Sequence, residues 1–501
     1  MRTLFQLLSI VALCLSFMIN EANASTSWQN ETFERLKNIR IQKKEAIITR
    51  LNDMQQKAQA ALNDPILVSF FNSFKNTPAK NRSIVGFSDQ AEFNFDRHYV
   101  EAYAAFYDIL FIDQSGFIFH SVKQEDDYHK NLFLGELKKT QLSKHLRENP
   151  NTNFVDYDYY APSKEAASFF ITPIKKSGWM VFQFSINDIN TALSDYQNLG
   201  STGEIYLTNT KHMMITQSRL LAEDTVLKQK VDTKASNIVT HKGQGNQVLR
   251  DYRGVRVFSS YEPFEFSGAK WAIIAEIDQA EVITEYYKKN KDTLIPTLFK
   301  NLEMGKKINP AFFAFKNNTK RIDINEFGRG NVNDKLVTYG VSTCTAIVIS
   351  KPKVFSYLGH IYPLDDAYQN GYKKVLTDLG LKLRGSTAPR NRDLLGQMLR
   401  KIKHFDVRPA ELHDINITIA AVHTKSLEII IDKLIEKGFF LSQIQVLYAP
   451  KMRSVNLSVL VKNNTVALQW NPLRSNKSVW TRTQTGHFNL ERLVKSILQQ
   501  A

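Results

Sequence analysis

From Ser27 to about Leu62 the apolar positions Leu36, Ile39, Ile47, Leu51, Met54 and Ala58 recur at roughly helical spacing, with no glycine or proline between them. The pattern predicts one long helix. Asp64-Pro65 ends or bends it, because a residue before proline disfavours the helical region. The period then changes: Tyr107 to Asp113 and Phe117 to Val122 flank Gln114-Ser115-Gly116, a β-hairpin pattern. The same grammar returns in Gly203 to Asn209 with Met213 to Ser218, and in Gly254 to Tyr261 with Lys270 to Asp278. Two hairpin-rich modules behind a long helix predict tandem sheets.

Residues 289–333 read as a polar connector with a helical start. A new α/β domain is expected over 334–501, with strands at Leu336 to Val341 and Ala346 to Ser350 and a helix near Asp366 to Leu379. In Thr424 to Lys437 the residues Leu427, Ile430, Ile431, Leu434 and Ile435 share one helical face before Gly438. A strand pair, Gln443 to Tyr448 with Val455 to Val461, should follow, and Thr465 to Trp470 should extend the same sheet.

The beginning of the chain has another pattern. Arg2, the apolar run Leu4 to Ile19 and the small residues of Ala22-Asn23-Ala24 predict a cleavable signal peptide over 1–24. The rival is an uncleaved anchor in the inner membrane, since the same run could hold the chain there. No transmembrane helix is expected downstream, so the mature chain should be periplasmic or secreted. Leu13 before Cys14 argues against a lipoprotein.

A chain of 501 residues is about three times the usual 150 or so per domain, so two or three domains are expected. With 43% hydrophobic and 23% charged residues it should fold as a globular protein. The net charge of +16 suits a solubilising surface or an acidic partner. No zinc-finger spacing and no long basic run points to nucleic acid. Of two cysteines, Cys14 leaves with the signal peptide, so the mature chain has a lone thiol, Cys344, and no internal disulfide.

That thiol heads the candidate chemistry. A cysteine nucleophile needs an imidazole nearby and a third group to orient the imidazole. Cys344 opens an apolar strand and His360 closes the next, across Lys351-Pro352-Lys353, so the two are candidate neighbours on paired strands. A buried structural thiol is the alternative. Metal is not expected, because His404, His413 and His423 have no ligand spacing with another acid or thiol, and no other cofactor is implied.

Four stretches carry a resemblance over 25–288: Tyr107 to Gly116, Ser121 to Leu132, Gly200 to Leu207, and Asp251-Tyr-Arg-Gly254 leading to Trp271 to Asp278. The region resembles the double-Cache sensor domains of bacterial chemoreceptors and sensor kinases. The resemblance implies a PAS-like, six-stranded antiparallel sheet in each module and a small-molecule pocket in the half farther from the membrane. Its candidate lining is Tyr103, Tyr107, Asp156, Tyr157, Asp158 and Tyr159, although any one aromatic could equally be core. The arginine-rich signature of the amino-acid-binding members is missing, which leaves the ligand open. Instead of a returning membrane helix, the charged Glu281 to Lys289 follows, so a signal would have to pass within the chain or to a membrane partner.

The C-terminal region resembles the CheD family of glutamine deamidases. The matching positions are Thr338, Gly340, Thr343-Cys344, Ala346 to Ile349, Pro352, His360 and Pro363, followed by Thr424 to Gly438 and Arg453-Ser-Val455. The resemblance implies Cys344 as nucleophile, His360 as base and Thr338 as support. The sequence departs from the family in Ile415 to Ala421, which has no glycine, and in an insertion around Arg384 to Phe405. The Cys-to-His gap is also shorter by about one residue.

The expectation is therefore an α+β chain of tandem PAS-like modules behind a long helix, followed by a separate CheD-like domain. Functionally it is an exported ligand sensor coupled to a cysteine deamidase acting on glutamine or asparagine side chains, its target an envelope or secreted-target protein. The alternative is a non-catalytic solute sensor signalling through a membrane partner.

Overall fold

The structure is a computed structural model. It describes residues 2–75, 89–149, 153–240, 243–300, 318–362, 393–402, 413–448, 452–472, 479–482 and 489–500. The chain divides into two compact units, residues 29–279, and residues 1–28 with 280–501.

Helix α1 (Arg2–Ala60) leads into the first of these, and α2 (Pro65–Lys75) and α3 (Asp89–His98) follow. The break between α1 and α2 lies where the proline places it. Asp64 Oδ1 accepts the N–H groups of Ile66 and Leu67, capping a helix whose first residue is Pro65.

Strands β1 (Asp108–Asp113) and β2 (Ile118–Ser121), helix α4 (Gln141–Glu148), and strands β3 (Phe154–Tyr160), β4 (Glu165–Ile174) and β5 (Gly178–Ser185) come next. The strands form an antiparallel sheet of order β2-β1-β5-β4-β3. One face carries Leu110, Ile112, Phe169, Ile171 and Val181 and packs under Leu132, Leu137, Leu142 and Leu146 of the segment after β2. The other face presents Phe111 and Phe119 to Phe70, Phe71 and Phe95 of α2 and α3.

After α5 (Ile186–Leu193), the strands β6 (Glu204–Asn209), β7 (Gly245–Arg250), β8 (Arg256–Phe266) and β9 (Ala269–Asp278) make a four-stranded sheet of order β6-β9-β8-β7. The two sheets thus have five and four strands among the described residues, not six each. Met213 to Ser218 is the missing strand: only isolated bridges form there, Thr208 with Met214 and Met213 with Lys230. Side-chain oxygens take the main-chain donors that a ladder would use, for Thr216 Oγ1 accepts the Leu207 N–H and Thr225 Oγ1 that of Ser218.

The second unit opens with α6 (Gln279–Lys300). Strands β10 (Thr319–Arg321), β11 (Phe327–Asn331), β12 (Lys335–Val341), β13 (Thr345–Lys351) and β14 (Phe355–Ile361) precede α7 (Leu394–Lys401). Then come β15 (Asn416–Ala421), α8 (Thr424–Glu436), β16 (Ile444–Tyr448), β17 (Met452–Leu460), β18 (Thr465–Pro472), β19 (Val479–Arg482) and α9 (Leu490–Gln500). The sheet orders are β11-β14-β13-β15-β16 and β10-β12-β17-β18-β19. Their inner faces share one core, with Ala346, Val348, Leu358 and Ala420 from the first and Leu336, Val455, Leu457 and Leu468 from the second.

Two expectations change here. The connector supplies β10 and β11, because Thr319–Arg321 runs parallel to β12 and Phe327–Asn331 pairs with β14. Gln443 to Tyr448 and Val455 to Val461 do not pair, for β16 lies parallel to β15 while β17 belongs to the other sheet. The crossover through α8 makes β15-α8-β16 a βαβ unit, and its apolar face, Leu427 to Ile435, is buried as the period requires. The helix expected at Asp366 to Leu379 lies outside the described residues.

Candidate functional site

Of the predicted residues Thr338, Cys344 and His360, the first and last meet directly, and Cys344 lies in the core between the two sheets. Residues Ala346 of β13 and His360 of β14 are register partners. Cys344 stands just before β13 and packs in the core cluster that also holds Ala346 and Leu358. Thr338 approaches from the opposite sheet. Its Oγ1 lies 2.8 Å from His360 Nδ1, and both residues are fully buried. This is a polar contact inside an otherwise apolar core.

A bulge sets the aim of Thr338. The β12–β17 register shifts between Thr338 and Val341, and both residues are buried against the core. Gly340 occupies the bulge at φ +68, and its N–H donates to Asn456 Oδ1 at 2.8 Å. On the outer face of β14, Gly359 lets α7 come close, since a Cβ there would lie 2.6 Å from Met398 Sδ.

Among the described residues His360 Nε2 is buried without a hydrogen-bond partner. Were Nδ1–H to donate to Thr338 Oγ1, Nε2 would hold its lone pair for a proton. Burial pushes the His360 imidazole down to about 4, opposed by the charge of Asp323. Burial likewise pushes the Cys344 thiol up to about 12, opposed by a hydrogen bond from Thr343. Thiol and imidazole are both neutral at pH 7. Cys344 is 4% exposed, with Tyr362 half-buried against the same core.

The six residues expected to line a ligand pocket are not gathered in one place. Tyr103 donates to Asp64 Oδ2 at 3.0 Å and stacks on Phe106 and Phe182, on the helix-covered side of the sheet. Asp156 accepts the Trp271 indole N–H at 2.8 Å, and Tyr157 is buried beside the same indole. Asp158 is half-buried, whereas Tyr159 is 59% exposed. Tyr107 alone joins a larger polar cluster, donating to Glu125 Oε1 at 2.7 Å.

That cluster was missed in the sequence. Asp108 and Gln183 are register partners on β1 and β5. Asp108 accepts from the Ser121 hydroxyl at 2.7 Å, Asp127 from the Tyr160 hydroxyl at 2.6 Å, and Glu165 from the Gln183 amide at 3.4 Å. Burial first, then repulsion from Asp127, pushes the Asp108 carboxyl up to about 6. Asp127 and Glu165 are raised for the same two reasons, Glu125 being the repelling neighbour. The signal available in the sequence was the acidic run Glu125 to Asp127 just after a strand.

Among the described residues no group of three or more His, Cys, Asp or Glu could hold a metal ion. His413 stacks on Phe440, His423 precedes α8 with its imidazole lowered by burial, and His404 lies outside the described residues. No described helix is long and apolar enough to cross a membrane.

No family model and no curated protein matches the chain. Among solved structures it is similar to the ligand-binding domain of the amino acid chemoreceptor PctB of Pseudomonas aeruginosa PAO1 in complex with L-Gln. The identity is 12%, the TM-score 0.32, and the match covers 53% of this chain and 97% of that one. It is also similar to the extracellular domain of the putative histidine kinase vpHK1S-Z8, at 12% identity and TM-score 0.36 over 54% of this chain and 98% of that one. The sensor domain of the V. cholerae histidine kinase DctB is similar at 10% identity and TM-score 0.34, over 50% of this chain and 97% of that one.

Proposed function

We propose that this protein is an extracytoplasmic sensor-enzyme, in which a small-molecule-binding double-Cache region is joined to a cysteine amidohydrolase of CheD type. The observation that carries the enzymatic half is the buried Thr338–His360 hydrogen bond, with His360 Nε2 unpartnered and Cys344 in the core between the same two sheets.

In this reading Cys344 Sγ attacks the carboxamide carbon of a glutamine or asparagine side chain as its proton passes to His360 Nε2. The C–N bond breaks, and the imidazolium returns that proton to the leaving ammonia. Water then adds to the thioester, the C–S bond breaks, and a carboxylic acid and the free thiol result. Backbone N–H groups over Thr343 to Thr345 are the candidate oxyanion donors. Because burial keeps the pair neutral, proton transfer accompanies attack instead of preceding it. Thr338 is a positioning residue, holding the imidazole through Nδ1.

The test is ammonia release from glutamine-containing envelope extract by the mature chain and by Cys344→Ala. Release by the wild type alone supports the reading, and equal release from both sinks it. The enclosure of Cys344 and its raised thiol favour a second reading, a non-catalytic solute sensor signalling through a membrane partner. On that reading ligand binding survives in Cys344→Ala, and no ammonia appears with either protein.

A further inference from the structure

We propose that the open cavity between β11 and α7 is the seat for an acidic segment of the protein substrate, beside the amide that Cys344 attacks. This rests on the enzymatic half of the function proposed above and describes its substrate.

The cavity has a volume of about 490 Å³. One wall is Asn325 to Phe327, the turn that leads into β11, and the other is the face of α7 that carries Gln397, Arg400 and Lys401. Both walls are fastened to the strand that holds the proposed base. The Asn325 N–H donates to the His360 carbonyl at 2.8 Å, and the His360 N–H donates to the Glu326 carbonyl at 2.9 Å. Helix α7 lies against the preceding residue, Gly359, whose lack of a side chain makes room for Met398. The helix falls within the insertion, around Arg384 to Phe405, by which the sequence departs from the CheD pattern. The groove is therefore built by a segment particular to this chain.

Charge selects the occupant. Lys401 holds its ammonium 5.2 Å from the centre of the Phe327 ring and forms no ion pair among the described residues. The Arg400 side chain is 70% exposed and stands 3.7 Å from Asp393 Oδ2, while Asp393 Oδ1 already caps α7 at the Gly396 N–H. Against these two cations the lining residues include one carboxylate, Glu326. Asn325 Oδ1 is a buried acceptor without a hydrogen-bond partner among the described residues, suited to a main-chain N–H of the incoming segment. Cations on one wall and an amide acceptor on the other fit a carboxylate-bearing peptide and repel a basic one. A substrate whose amide reaches His360 crosses the Asn325–Glu326 turn, and its flanking residues fall against Arg400 and Lys401.

Fluorescence anisotropy on the full mature chain reads the docking, with a labelled peptide in which glutamates flank a glutamine and with its serine- and lysine-flanked analogues. Cys344→Ala is titrated beside the wild type, so that turnover plays no part. The glutamate peptide should bind best to both proteins. Arg400→Gln combined with Lys401→Gln should weaken it about fivefold or more, the loss of two exposed ion pairs, and leave the serine peptide unchanged. Both side chains are exposed, which keeps the fold intact, and Lys175→Gln, at an exposed lysine of the first unit, should change none of the affinities.

Unchanged affinity for the glutamate peptide in the double variant, or an equal loss in Lys175→Gln, would overturn the groove and leave the deamidase reading to its own test. Equal binding of the three peptides, or displacement by oligothymidylate at lower concentration than by unlabelled peptide, would overturn the ligand class. Docking that depends on Arg400 and Lys401 without ammonia release from any peptide would remove the deamidase reading and leave the groove standing.

Discussion

His360 carries the account at the scale of single residues. Its imidazole is pushed from 6.5 down to about 4 by burial, so between those values the unfolded chain takes up a proton that the folded chain refuses. The stability this supplies is complete above about pH 6.5 and is lost as the pH falls towards 4, worth roughly 3 kcal/mol. Chemical denaturation between pH 7 and 4 should therefore show a shallower fall in stability for His360→Gln than for the wild type. Coincident slopes would mean that the imidazole is not held neutral.

The thiol makes the opposite prediction at high pH. With Cys344 raised from 9.0 to about 12, iodoacetamide should modify the native protein far more slowly at pH 8 than the urea-unfolded chain. Equal rates would contradict the enclosure. Thr338→Val should lower the rate of ammonia release with little change in KM, since the hydroxyl orients the base and is not placed to touch substrate.

Among the elements, the β12 bulge does most to place the site. Gly340 has φ +68, where a Cβ costs about 1 kcal/mol or more, so Gly340→Ala should destabilise the second unit by about that amount and disturb Thr338 with it. Stability and ammonia release should fall together, and a variant with unchanged activity would detach the bulge from the site.

Strand periodicity made the β13–β14 hairpin legible, and with it the pairing that sets His360 opposite Ala346. Thr338 was not legible from period or spacing. It meets His360 across two sheets, and resemblance alone singled it out. The same limit explains β16 and β17, which are adjacent in sequence yet enter different sheets, because local pattern specifies a strand and not its partner. The polar cluster on β1 and β5 escaped notice for a related reason. Asp108, Asp127 and Gln183 are ordinary polar residues until the sheet register and the covering segment bury them together.

At the scale of the molecule the chain combines a unit of two antiparallel sheets with a unit of two sheets that share one core. The first buries a polar cluster of Asp108, Asp127 and Gln183, and the second a hydrogen bond between Thr338 and His360. The central claim is that the second unit hydrolyses a side-chain amide at Cys344. Its most direct measurement is mass-spectrometric mapping of glutamine-to-glutamate and asparagine-to-aspartate conversion in envelope protein incubated in oxygen-18 water, with wild type and Cys344→Ala. The account predicts heavy oxygen in new carboxylates with the wild type alone. Label with both proteins, or with neither, would contradict it.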